Sequence, residues 1–111
     1  IAPGGGSDIA DPDGHDISYD DTPLPPLRSL FVDGVAPIEG CFGQLEVPLR
    51  LFTSRTDHVV DPADSQHLAT TWGGPVDHVW LERSYHVATQ DYDRDLINEK
   101  MIEFVGRVAG A

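Results

Sequence analysis

Val47-Pro48-Leu49-Arg50-Leu51-Phe52-Thr53, followed at once by Ser54-Arg55-Thr56-Asp57-His58-Val59-Val60-Asp61-Pro62-Ala63-Asp64, fixes how this chain reads. The first seven residues are a short apolar run and a strand candidate, with Pro48 at the start where a missing N–H is tolerated. Asp61-Pro62-Ala63-Asp64 has the form of a helix start. Asp61 is the N-cap, Pro62 takes the first position, and Asp64 sits in the turn favoured by the positive end of the helix dipole. Leu68, Ala69 and Trp72 form the inner face of that helix, and Gly73-Gly74 stops it. A second strand candidate follows at Val76-Asp77-His78-Val79-Trp80-Leu81-Glu82, and residues 83–90 read as a loop.

The last segment reads as a helix over residues 91–108. Ile97, Met101, Phe104, Val105 and Val108 share one face, a stripe expected to pack on the sheet. Asp91, Asp93 and Asp95 at its start, with Lys100 and Arg107 later, suit the dipole. The order strand, helix, strand, helix predicts an α/β fold with parallel strands flanked by helices. Two parallel strands do not make a stable sheet, because their edges and faces need more chain to cover them.

Upstream the character changes. Residues 1–22 hold three consecutive glycines, prolines at 3 and 12, six aspartates and no Lys or Arg. Such a composition buries little apolar surface and predicts irregular, partly mobile structure. Pro23-Leu24-Pro25-Pro26 starts a short helix, with Leu27, Leu30 and Phe31 on one face, and Asp33-Gly34 ends it. Residues 34–46, with further glycines and a proline, read as a connector. The chain therefore divides into residues 1–44, an acidic loop and short helix, and residues 45–111, the α/β portion.

Composition narrows the chemistry. The chain has 111 residues, enough for one modest domain. Seven Lys+Arg against 19 Asp+Glu give a formal net charge of −12. That excludes a nucleic-acid partner, whose phosphates call for clustered Lys and Arg, and docking on an anionic membrane surface. No apolar run is long enough to insert stably across a membrane. A single cysteine, Cys41, forms no intrachain disulfide framework or Cys-rich zinc site and reads as incidental. Asp11-Pro12-Asp13-Gly14-His15-Asp16 hints at calcium but fails the EF-hand spacing and reads as a solvated loop. The chain begins at Ile1 rather than Met, and its first residues have no signal-peptide pattern. The expectation is a processed chain or a portion of a longer one, in a cytoplasmic rather than exported protein.

Two loops carry the chemistry. Asp57 lies just beyond the first strand and His86, in Ser84-Tyr85-His86-Val87, just beyond the second. In open α/β sheets, reactive groups collect at the carboxyl ends of the strands, so an acid and a histidine meet at one edge. A carboxylate there can accept the Nδ1–H of the imidazole and stabilise the imidazolium formed on proton uptake. Taken singly, each has a plainer reading, Asp57 as a turn-capping carboxylate and His86 as a backbone-bonded loop residue. His58, His67 and His78 read as surface or structural histidines.

From Leu45 to Val108 the chain resembles the C-terminal part of a serine α/β-hydrolase, and most of all the bacterial carboxylesterases and monoacylglycerol lipases. The family's "D-x-V-V-x-P" loop corresponds to Asp57-His58-Val59-Val60-Asp61-Pro62, and its "S-x-H-V" loop to Ser84-Tyr85-His86-Val87. Its "D-x-E-x-D" corresponds to Asp91-x-Asp93-x-Asp95. The order Asp then His fits the family's Ser…Asp…His order. Residues 17–27 resemble more loosely the lid-to-core return. The resemblance implies Asp57 as triad acid and His86 as general base. It also implies a carboxylic ester substrate with an apolar acyl chain, and no metal or organic cofactor. By the same likeness Leu27, Leu30, Phe31 and Val87 are candidates for substrate contact.

No G-x-S-x-G elbow is present. Gly5-Gly6-Ser7-Asp8-Ile9 has one glycine of the two and no strand before it. The resemblance therefore implies that the nucleophilic serine belongs to an N-terminal half of the same hydrolase, and that this chain alone is inactive. The alternatives are another α/β-hydrolase chemistry or a non-catalytic, truncated or acidic binding module.

Overall fold

The computed structural model describes residues 2–3 and 7–110. The glycine run at 4–6, and with it most of the Gly5-Gly6-Ser7 string, lies outside the described residues. Two short strands come first, β1 (Ala2–Pro3) and β2 (Asp21–Thr22), paired antiparallel. Between them, residues 7–20 follow an irregular path.

The short helix begins as its proline pattern predicts: α1 spans Leu24–Ser29 with Pro25 and Pro26 in its first turn. It does not end at Asp33-Gly34. The chain continues through a π-helical turn (Leu30–Val35) and a 3₁₀ segment (Ala36–Gln44). The expected connector is thus helical. Pro37 enters in the first turn of the 3₁₀ segment, where its missing N–H leaves few bonds unmade.

The α/β portion is built on β3 (Leu49–Ser54) and β4 (Val76–Leu81). They pair in parallel over their full length, from Leu49 beside Val76 to Ser54 beside Leu81. Pro48 falls just before β3, where it disturbs no ladder bond. Helix α2 (Pro62–Thr71) connects them, and Asp61 caps it by accepting the Ala63 N–H at 2.9 Å. Leu68, Ala69 and Trp72 are each half-buried. The helix stops where Gly73-Gly74 predicts, but not through a left-handed glycine. A Cβ on Gly74 would lie 2.5 Å from the carbonyl oxygens of Glu46 and Val47, and one on Gly73 would collide with Gly43. The pair lets the 43–47 backbone pass close by. Trp72 seals this corner, with its indole N–H on the Val47 carbonyl at 2.8 Å and its ring stacked on Phe42.

The final helix, α3, spans Arg94–Val108 and starts three residues later than its acidic cluster suggests. Asp91 and Asp93 do not serve the dipole from an exposed first turn. Both are buried, and their carboxylates point back at the loop after β4. Arg50 ties α3 to the sheet. Its buried guanidinium meets Asp77 and the Lys100 carbonyl, and packs over Phe104. Of the apolar stripe, Ile97 is buried and Phe104 half-buried, whereas Met101, Val105 and Val108 stay largely exposed. Among the described residues, the buried hydrophobic core is Leu81 and Ile97. The stripe and the sheet are both present, but little chain covers them.

Candidate active site

Parallel pairing puts the loops after β3 and β4 side by side, so Asp57 and His86 leave the same end of the sheet. His86 Nδ1 lies 2.9 Å from Asp57 Oδ2. An ionised carboxylate only accepts, so Nδ1 is the donor in this contact; in the neutral ring Nε2 is then the nitrogen with the lone pair. The Asp57 side chain is 13% exposed and that of His86 39%, leaving the ring open to a neighbour while the acid is sheltered.

Asp57 both caps its own turn and meets the His86 ring. Its Oδ1 accepts the N–H groups of Val59 and Val60, each at 2.8 Å, and so caps the turn. Its Oδ2 is left for His86. Burial alone would raise this carboxyl, but the Val60 N–H, the His86 ring and the Val59 N–H outweigh it and hold it below the usual 3.8. Asp57 is therefore an anion across the neutral range, as a partner for an imidazolium must be.

The His86 loop rests on a buried polar network. Ser54 Oγ at the end of β3 donates to the Tyr85 carbonyl at 2.6 Å. The buried Ser84 hydroxyl donates to Asp93 Oδ2 and accepts the Asp93 N–H, both at 2.8 Å. Asp91, fully buried, accepts four backbone N–H groups: Tyr85 and Ala10 on Oδ2, Asp11 and Tyr92 on Oδ1. Burial would raise the Asp91 carboxyl, and the four N–H groups, Tyr85 and Ala10 foremost, hold it below 3.8. Through this carboxylate the acidic segment around Ala10 and Asp11 is docked under the loop. The predicted solvated stretch is thus pinned at this point.

His58, beside Asp57 in sequence, turns away from it. Its Nδ1 lies 2.7 Å from Asp8 Oδ1, and its ring meets Tyr85 edge-on. Asp8 also accepts the backbone N–H groups of His58 and His86, each at 3.0 Å. No reading of local sequence finds Asp8, which lies 50 and 78 positions from these partners. His78 bonds Thr53 Oγ1 at 2.8 Å. Burial and, secondly, the Arg55 charge lower its pKa. His67 is exposed on α2.

A cleft of about 520 Å³ opens beside His86, lined by Val60, Val87, Ala88, Phe52, Leu81 and Ile97 together with Asp57. Val87, one of the residues singled out in the sequence, is thus part of the cleft wall. Leu27 and Phe31 line a separate shallow groove on α1 and the π-helical turn, and Leu30 is 58% exposed. The three are not among the residues around His86. Among the described residues, no group of three or more His, Cys, Asp or Glu is placed to hold a metal ion. No described helix is long and apolar enough to cross a membrane.

Comparison with known proteins meets this geometry. One solved structure, described as coming from work on LipS and LipT, two metagenome-derived lipolytic enzymes, superposes with a TM-score of 0.87. It is 36% identical and covers 96% of this chain. The chain has the fold of the C-terminal part of an α/β-hydrolase. A thermostable monoacylglycerol lipase of Bacillus sp. (strain H-257) is 35% identical over 109 residues, 95% of the chain. No family model matches the chain. This chain spans 42% of the lipase and 43% of the lipolytic structure, less than half of either.

Proposed function

We propose that in the full-length protein Asp57 and His86 are the acid and base of a Ser-His-Asp triad that hydrolyses carboxylic esters. The observation that carries this reading is the 2.9 Å contact between Asp57 Oδ2 and His86 Nδ1 at the carboxyl ends of two adjacent parallel strands. With Nδ1 donating to the carboxylate, Nε2 of the neutral ring is the nitrogen that can take up a proton, the arrangement a general base requires. The likeness to a monoacylglycerol lipase and to a lipolytic enzyme supports an ester as substrate. The apolar cleft beside His86 supports an apolar acyl or alcohol chain.

In this reading a serine from the part of the protein outside these residues attacks the ester carbonyl. His86 Nε2 takes the hydroxyl proton, and Asp57 stabilises the imidazolium. His86 then returns the proton to the departing alkoxide, leaving an acyl-enzyme. Water attacks the acyl carbon, again giving a proton to His86, and the acid leaves as the serine recovers its hydrogen. Side chains and backbone N–H groups suffice for these steps.

The test uses the full-length protein and p-nitrophenyl acyl esters of increasing chain length. His86→Ala lowers kcat by roughly 10⁶-fold and Asp57→Asn by roughly 10⁴-fold, with folding intact. Activity within about tenfold of wild type in either variant overturns the assignment.

A further inference from the structure

We propose that Asp8 is a positioning residue that clamps the Asp57 loop to the His86 loop. The inference rests on the reading of Asp57 and His86 as acid and base. One carboxylate, 13% exposed, engages both loops. Its Oδ2 accepts the His58 and His86 backbone N–H groups at 3.0 Å each, and its Oδ1 meets His58 Nδ1 at 2.7 Å. Its own carbonyl accepts the Val87 N–H at 3.1 Å. The residues it holds are His86 itself and the immediate neighbours of Asp57 and His86.

The clamp answers a mechanical need. Asp57 and His86 stand on separate loops, and one side-chain bond joins them. That bond cannot also fix the two backbones, and a displacement of about 1 Å at a reacting group can cost 10²-fold in rate. Ser54 and Asp91 anchor the His86 loop from below, through Tyr85. Asp8 joins the two loops to each other, and the His58 ring against Tyr85 closes the same seam. The charge of Asp8 is also kept: burial would raise its carboxyl, and the His58 and His86 bonds outweigh that and hold it below 3.8.

The test is made on the full-length protein with Asp8→Ala and Asp8→Asn. Asp8→Ala removes every side-chain bond. It is expected to lower kcat by roughly 10–100-fold with KM within about twofold, because positioning rather than binding is lost. The far-downfield resonance of the His86 Nδ1 proton, read without substrate, should broaden or vanish. Asn keeps an acceptor oxygen for the two backbone N–H groups, so Asp8→Asn should restore most of both signals. An unchanged kcat in folded Asp8→Ala overturns the proposal. So does a loss of kcat with the His86 resonance intact. A second measurement needs no variant: amide hydrogen exchange of His58 and His86 in the wild type should be slow for both. Exchange of either at the rate of a free peptide overturns the clamp even if Asp8→Ala fails to fold. Esterase activity surviving His86→Ala would instead sink the triad reading, whereas the resonance and the exchange rates decide the clamp without reference to turnover.

Discussion

At the scale of single residues, the same side-chain type does three different jobs. Asp57 faces an imidazole, Asp8 spans two loops, and Asp91 is an anion enclosed by four N–H groups. The last is the most exposed to mutation. In Asp91→Asn the NH₂ group faces two of the four donors and leaves them buried without a partner. Each such orphan costs about 1–3 kcal/mol, so a loss of about 2–6 kcal/mol is expected in urea unfolding of the full-length protein. These groups also set the acid response. Asp8, Asp57 and Asp91 all titrate lower in the folded state than the ordinary 3.8. Their stabilisation is therefore complete above that value and lost as pH falls through their folded-state values. His78 acts in the same direction from a higher pH. Its pKa is lowered from 6.5, so the unfolded chain binds the proton more readily and stability declines as pH falls through that region. Unfolding midpoints measured from neutral to acid pH should fall in two stages, and His78→Gln should remove the first.

At the scale of elements, local signals fixed most starts and fewer ends. Asp61-Pro62 marks the beginning of α2 because capping and a preset φ act within a few residues. The parallel pairing of β3 with β4 follows from the helix between them. The withdrawal of Asp91 from α3 depends on Ala10 and Asp11, far along the chain. The need for Gly73-Gly74 comes from the 43–47 backbone pressed against it. Gly74→Ala is accordingly expected to destabilise by about 1–3 kcal/mol, by forcing backbone rather than a flexible side chain to move. A control at Gly106, where a Cβ meets nothing within 4 Å, should not destabilise. Thermal melting of the two variants, read by circular dichroism, makes the comparison.

At the scale of the whole molecule, the described chain is under-covered. Its radius of gyration is 15.7 Å, above the roughly 13 Å of a compact domain of this length. Ile102 is 75% exposed, Val47 62% and Val105 53%. A two-stranded sheet with so little buried apolar surface has a weak drive to fold alone. Residues 1–111 expressed by themselves should bind a hydrophobic dye strongly and unfold with a shallow urea transition, whereas the full-length protein should do neither. A sharp transition and no dye binding in the isolated chain would show that these contacts suffice.

The sequence by itself determined the strand–helix–strand–helix order and the parallel pairing. It also put Asp57 and His86 at one end of the sheet. Periodicity, caps and the position of a loop after a strand are local properties, legible within a dozen residues. Tertiary structure alone decided that Asp57 and His86 touch, and that Asp91 and Asp93 are buried. It alone brought Asp8 across 50 and 78 positions to both loops. It also set Leu27 and Phe31 in a groove of their own, while Val87 lines the cleft beside His86. Hydrogen bonds between distant segments leave no periodic trace. The burial of a carboxylate depends on which N–H groups converge on it, and that convergence exists only once the chain has folded.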